Sequence, residues 1–174
     1  MQNITNTQGK IIESGLQDSN IDSKMELTND EVEKLQELCV YAFTCARENN
    51  TKDLKTLLDS KLNVNLRNEK GNTLLMIAAY NGNFEACELL LKYGADVNLL
   101  NDKNLSPLSG VCFKGYENIA KLLLENGADI YLGRLSAINS ALFFRKKNMI
   151  KLIESYANTS PKKPNFLQKM LFRF

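Results

Sequence analysis

Asn72-Thr-Leu-Leu-Met-Ile-Ala-Ala-Tyr-Asn-Gly82 returns 33 residues later as Leu105-Ser-Pro-Leu-Ser-Gly-Val-Cys-Phe-Lys-Gly115. The segment after each copy returns too: Glu88-Leu-Leu-Leu-Lys-Tyr-Gly-Ala-Asp-Val97 becomes Lys121-Leu-Leu-Leu-Glu-Asn-Gly-Ala-Asp-Ile130, again at a spacing of 33. A fixed period of this size describes a stack of small like units. Such a stack is held together mainly by contacts between neighbours and has no single deep core around which an active site would form.

Each unit opens on a polar turn, Asn68-Glu-Lys-Gly71 in one copy and Asn101-Asp-Lys-Asn104 in the next. Gly and Asn tolerate the left-handed backbone of tight turns. Thr73 and Ser106 follow as candidate N-caps, and Pro107 fits the first helical position, where its missing N–H is no loss. The small residues Ala78-Ala79 and Val111-Cys112 allow close helix approach, and Gly82 and Gly115 suit the end of the short helix. A second helix is predicted over 84–93 and 117–126. Its apolar positions Ala86, Leu89, Leu90 and Ile119, Leu122, Leu123 recur at i, i+3, i+4, and Gly94 and Gly127 stop it.

The pattern Gly-x-Thr-Pro-Leu-x-x-Ala-Ala-x-x-Gly, followed by Leu-Leu-x-x-Gly-Ala-Asp-Val-Asn, resembles the ankyrin repeat family. Leu74 replaces the usual proline, and Met76 and Ser109 stand where the family usually has histidine. Gly110 replaces an apolar helix residue, a weakening of roughly 0.5–1 kcal/mol relative to Ala. Two fainter copies flank the clear pair. Upstream, 42–65 aligns at the same offset, with Asn49 in the place of Gly82 and Lys61-Leu62 in the place of Gly-Ala. Its first helix starts early, at the capping box Thr28-Asn-Asp-Glu31. Downstream, Leu135 to Arg145 matches the 105–115 segment at an offset of 30, so three residues are missing from the turn around 131–134. The resemblance implies an all-α ankyrin-repeat solenoid of stacked helix-turn-helix units with short hairpin connections. Four repeats are expected, at about 34–66, 67–99, 100–132 and 133–158.

Outside the stack, 1–27 reads as a flexible polar arm and 159–174 as a basic amphipathic tail. Residues 133–174 hold nine Lys/Arg and one acid, whereas 1–132 hold thirteen Lys/Arg and nineteen acids. That asymmetry points to surfaces with different partners. The tail's Phe166, Leu167, Met170, Leu171 and Phe174 share a helical face. It reads either as a cap on the last repeat, as a membrane-surface anchor or as a short partner motif. No signal peptide and no membrane-spanning run is visible, so the expected location is cytoplasmic.

The chain has no histidine, no CxxC pair and no phosphate-binding glycine loop. Acid–base and nucleophilic chemistry are therefore not signalled, and no cofactor or metal is expected. Cys45, Cys87 and Cys112 stand where sister repeats carry other apolar, mostly small, residues and read as core spacers. Arg145-Lys-Lys147 beside Phe143-Phe144 reads as a solvated turn with one Phe in the core rather than as a nucleic-acid site.

In proteins of this resemblance, partners usually bind the concave side, made of turn tips and the exposed side of each first helix. Aligned by the period, one column of that side holds Arg47, Tyr80, Phe113 and Phe143, and the next holds Glu48, Asn81, Lys114 and Phe144. The aromatics either fill gaps between repeats or form an exposed stripe of anchors. The candidate partner-binding residues are thus Arg47, Tyr80, Asn81, Phe113, Lys114 and Phe143, with Glu69, Lys70, Asp102 and Lys103 at the tips. The reading is a monomeric, non-catalytic protein-binding scaffold of bacterial type, the bacterial impression coming from the Asn- and Lys-rich composition. Alternatives are a membrane-associated adaptor held by the tail, or an effector or immunity-type protein that neutralises a partner enzyme.

Overall fold

Capping residues decide where the helices start. In a computed structural model of the chain, which describes residues 28–159, the side chains of Thr73, Ser106 and Ser136 accept hydrogen bonds from the amides of Met76, Ser109 and Asn139. Thr28 and Glu31 close a reciprocal capping box at the front of the first helix. Each cap satisfies an amide that a helix start leaves without a partner. Gly82 (φ 83°) and Gly115 (φ 88°) end the short first helices in the left-handed conformation, at little cost for a residue without Cβ.

Eight helices result among the described residues, in four antiparallel pairs. They are α1 (Asn29–Glu48) with α2 (Thr51–Asp59), α3 (Leu74–Asn81) with α4 (Phe84–Lys92), α5 (Pro107–Lys114) with α6 (Glu117–Glu125), and α7 (Ala137–Phe143) with α8 (Lys147–Thr159). The two clear second helices stop one residue short of 93 and 126, which sit at the C-cap. The early start expected for the first helix is seen in α1, 20 residues long against 8 for α3 and α5. One isolated antiparallel bridge, Arg67 to Thr73, is all that remains of a hairpin among the described residues. The arm 1–27 and the tail from 160 onward lie outside the described residues, so the cap and anchor readings of the tail concern residues not described here.

The first helices of successive pairs approach each other more closely than the second helices do. The residues between them are small: Cys45, Ala46, Ala78, Ala79, Val111, Cys112 and Ala141 are all buried. Closer approach in one row makes that row, with the turn tips beside it, the inner side of the stack. Leu54, Leu90, Leu123 and Ile153, from the second helices, are fully buried and continue the core from pair to pair. Cys39, Cys45, Cys87 and Cys112 are free buried thiols. Burial pushes the thiols of Cys87 and Cys112 up to about 12, so they stay protonated.

Polar links tie each pair to the next. Asp96 N donates to Asn65 Oδ1 (2.9 Å) and Asp129 N to Asn98 Oδ1 (2.8 Å). Arg67 donates to Leu100 O at 2.7 Å, and Asn101 Nδ2 to Asn72 Oδ1 at 2.7 Å. Between the last two pairs, Ser109 Oγ donates to Leu135 O just before α7 (2.6 Å), and the buried Ser140 Oγ to Ser109 O (3.1 Å). Ser109, which departs from the family pattern, thus bonds to the following unit. The shortened turn at 131–134 folds back on its predecessor through Arg134 N to Asn104 O, 2.8 Å.

Candidate functional site

The last turn of each first helix is polar or aromatic on its outward side. The preceding residues face the neighbouring helices and must be small. The residues after Ala79 and Cys112 are therefore the first positions able to carry a large side chain. Tyr80 and Phe113 occupy them, and their rings stack across the gap between pairs with centroids 6.3 Å apart and planes within 7°. Phe144 continues the row edge-on to Phe113 at 4.6 Å, and Phe143 meets Phe144 edge-on at 4.9 Å. Contacts of this geometry add about 0.5–1.5 kcal/mol beyond burial. The rings nevertheless keep much of their surface in water: 46% for Tyr80, 39% for Phe113, 75% for Phe143 and 37% for Phe144.

One expectation needs correction. Neither Phe143 nor Phe144 serves the core; both are exposed. Leu142 is exposed as well, while Cys112 and Ala79 at the equivalent place are fully buried. The gap-filling and exposed-stripe alternatives meet in Tyr80 and Phe113, which bridge adjacent pairs while remaining open to solvent.

Cations surround this ridge. Lys114 Nζ lies 4.8 Å from the centroid of the Tyr80 ring and 5.9 Å from that of Tyr116, within reach of the negative ring face. Beyond Lys114, a cleft of about 400 Å³ is lined by Arg145, Lys146 and Lys147 together with Glu117. On the other flank, a second cleft of about 420 Å³ lies between the second and third pairs. Its walls include Met76, Ile77, Tyr80, Leu105 and Pro107, Gly110 lies in its wall, and Lys70 and Lys103 lie at its edge.

The ten candidate residues do not converge on one spot. Tyr80, Phe113 and Lys114 are in mutual reach, and Phe143 joins them through Phe144. Lys70 and Lys103 share the cleft edge with Tyr80. Asp102 is turned to Arg67 at 3.7 Å, and its amide donates to Lys70 O at 3.2 Å, so it joins adjacent turn tips. Asn81 donates back to Ile77 O at 2.7 Å. Arg47 and Glu69 are exposed and line neither cleft. Phe144 is the ridge residue that column reading put one place aside. It sits at the C-cap of α7 (φ −89°, ψ 10°), where the chain leaves the helix and the periodic columns cease to hold.

No helix of the described residues is long and apolar enough to cross a membrane. Similarity to known proteins agrees with the architecture. A 54-residue segment is 44% identical to a curated protein of Pseudomonas aeruginosa named as an ankyrin repeat protein, over 31% of this chain and 32% of the relative. The chain thus matches only about a third of that protein's length. The family model described as ankyrin repeats in three copies matches residues 42–133, from the middle of α1 to the shortened turn before α7. With that match over more than half of its length, the chain belongs to the ankyrin repeat family, whose repeats generally mediate protein–protein interaction.

Proposed function

We propose that this protein is a non-catalytic, cytoplasmic scaffold that captures another protein on its concave face. Tyr80, Phe113 and Phe143, joined by Phe144, act as apolar anchors. The observation that carries the reading is the ridge itself: four aromatic rings, touching one another across three pairs, left open to water. Large apolar surface of this kind marks interaction sites on soluble domains, and aromatic residues dominate binding hot spots. Rings that already hold one another in place also lose little side-chain freedom on binding. The charged tips and the basic end of the stack set partner choice and association rate.

The test is comparative affinity purification with the full chain and with Tyr80→Ala combined with Phe113→Ala. The double variant should lose the partner enriched by the native chain, while its Tm stays within a few degrees. A partner retained by the double variant would remove the ridge from the binding face. A large fall in Tm would show that the rings are structural.

A further inference from the structure

We propose that the cleft beside Gly110 takes one large apolar side chain from an extended, acidic segment of the partner protein, whose carboxylates flanking that side chain lie on Lys70 and Lys103. This inference rests on the binding-face reading above and names its partner chemistry.

Gly110 lies within the eight-residue helix α5, at a position where the sister helices carry Ile77 and Ser140. Glycine inside a helix is unfavourable, so a fold normally keeps it only where Cβ would clash or φ is positive. Neither holds here. A Cβ would meet only Tyr80 Cδ2, at 3.5 Å, an ordinary contact, and the backbone is helical. By contrast, Gly71 faces Asp102 at clash distance and Gly133 faces the Asn104 carbonyl oxygen at 2.6 Å. Packing demands those two glycines and does not demand Gly110. What the missing side chain leaves is space, and the cleft of about 420 Å³ beside it is of the size that encloses a compact ligand group.

The walls and the edge fix the chemistry. Met76, Ile77, Tyr80, Leu105 and Pro107 offer an apolar lining, suited to one Leu, Phe or Trp side chain. Lys70 and Lys103 at its edge, and Lys114 over the Tyr80 ring, form no salt bridge among the described residues. The acids nearby do not neutralise them: Asp102 is held by Arg67 at 3.7 Å, and Glu69 lies at the tip outside the cleft. Arg145, Lys146 and Lys147 extend the positive charge to the far end of the ridge, with Glu117 the single acid in that cleft. An incoming basic segment would be repelled at both ends, and an acidic one drawn in. A protein segment is favoured over single-stranded nucleic acid because the rings, though open to water, are partnered with one another rather than spaced as separate stacking platforms. Tyr80 is stacked on Phe113 and covered by Lys114, and Phe113 meets the edge of Phe144, so nucleobases find few free faces.

Random twelve-residue peptides displayed on phage and selected on the immobilised full chain test this directly. The expected consensus is one Leu, Phe or Trp flanked by Asp or Glu. A synthetic peptide of that consensus should bind less tightly as salt rises. Gly110→Leu should weaken it at least tenfold with Tm unchanged or higher, and Gly110→Ala should do so more mildly. Lys70→Glu with Lys103→Glu should also cost at least tenfold. Basic or uncharged consensus peptides, no consensus at all, undiminished binding by the folded Gly110 variants, or preference for a single-stranded oligothymidine probe would each overturn the proposal. If non-acidic peptides are selected and still depend on Tyr80 and Phe113, the binding face stands and only the assignment to acidic segments falls. If selected peptides ignore both rings, the face falls with it.

Discussion

The two central pairs and the two terminal pairs solve the same backbone problem with different residues. Where the central helices end in the left-handed region they use Gly82, Gly94, Gly115 and Gly127, and the centre's one non-glycine residue there, Asn104 (φ 59°), lies at a turn tip. The ends use Asn49 (φ 59°), Lys61 (φ 68°) and Arg145 (φ 53°) at the matching places. An L-residue other than Gly pays roughly 1–2 kcal/mol there, with Asn relieved most by its local hydrogen bonding. Among the described residues the end pairs touch another pair on one side only, and Leu142, Phe143 and Phe144 stand open at one end and Leu38, Val40 and Tyr41 at the other. The centre is therefore the stable body of the stack. The ends are tolerated because the centre templates them, as expected when stability is a sum of units and interfaces.

Core truncation should separate the two regions most. Leu123 in α6 and Ile153 in α8 are both fully buried. Leu123→Ala is expected to cost about 3 kcal/mol and to lower the whole urea transition, since it faces neighbours on both sides. Ile153→Ala should instead release α7 and α8 alone. Amide exchange would then show lost protection in 135–159 with 74–125 still protected. Uniform loss of protection in both variants would mean that the stack unfolds as one block.

Exchanging the turn residues should act in opposite directions. Gly82→Ala places a Cβ at φ 83° and 3.1 Å from the Tyr116 ring, with an expected loss of about 1–2 kcal/mol. Arg145→Gly relieves a left-handed arginine and should gain about 0.5 kcal/mol, part of the relief being offset by a more flexible unfolded chain. Denaturant midpoints of the two variants check the signs; a destabilised Arg145→Gly would show that the arginine side chain holds the last turn.

Acid should act gently and first on the N-terminal end. Hydrogen bonds from Tyr41 and Asn50 hold Asp53 below its ordinary value, and Lys55 and Tyr93 do so for Asp59. Asn49 lowers Glu85. Because the folded values are depressed, these groups stabilise above the ordinary carboxylate range, near pH ~4, and that contribution is lost as pH falls below it. Asp59 and Glu85 are exposed and Asp53 is only partly covered, so screening keeps the effect small. Two of the links, Tyr93 to Asp59 and Asn49 to Glu85, join the first pair to the second. Exchange in α1 and α2 should therefore accelerate before exchange in α5 and α6 as pH falls; a simultaneous change would place the acid-sensitive contacts elsewhere.

Much of this was legible in the sequence, for identifiable reasons. The period of 33, the N-caps Thr73 and Ser106, and the stopping glycines each rest on backbone requirements that few residues meet. Tyr80 and Phe113 could be put on one outward column because their helices are regular. Phe144 could not, because it follows the end of α7 and no longer obeys the helical period. The contact of Lys114 with the Tyr80 ring depends on side-chain direction, which spacing does not fix. Gly110 read as a simple defect of α5; its meaning lies in what surrounds the absent side chain.

The asparagine links give the stack a direction. Asn65 Oδ1 accepts from the amide of Asp96 and Asn98 Oδ1 from that of Asp129, while Asn98 Nδ2 also donates forward to Gly127 O, so in both links the side chain belongs to the earlier unit. During synthesis the earlier unit leaves the ribosome first. Each new turn therefore arrives to find its acceptor in place on a surface already folded. These turns can therefore dock in the order of synthesis, each onto the unit before it.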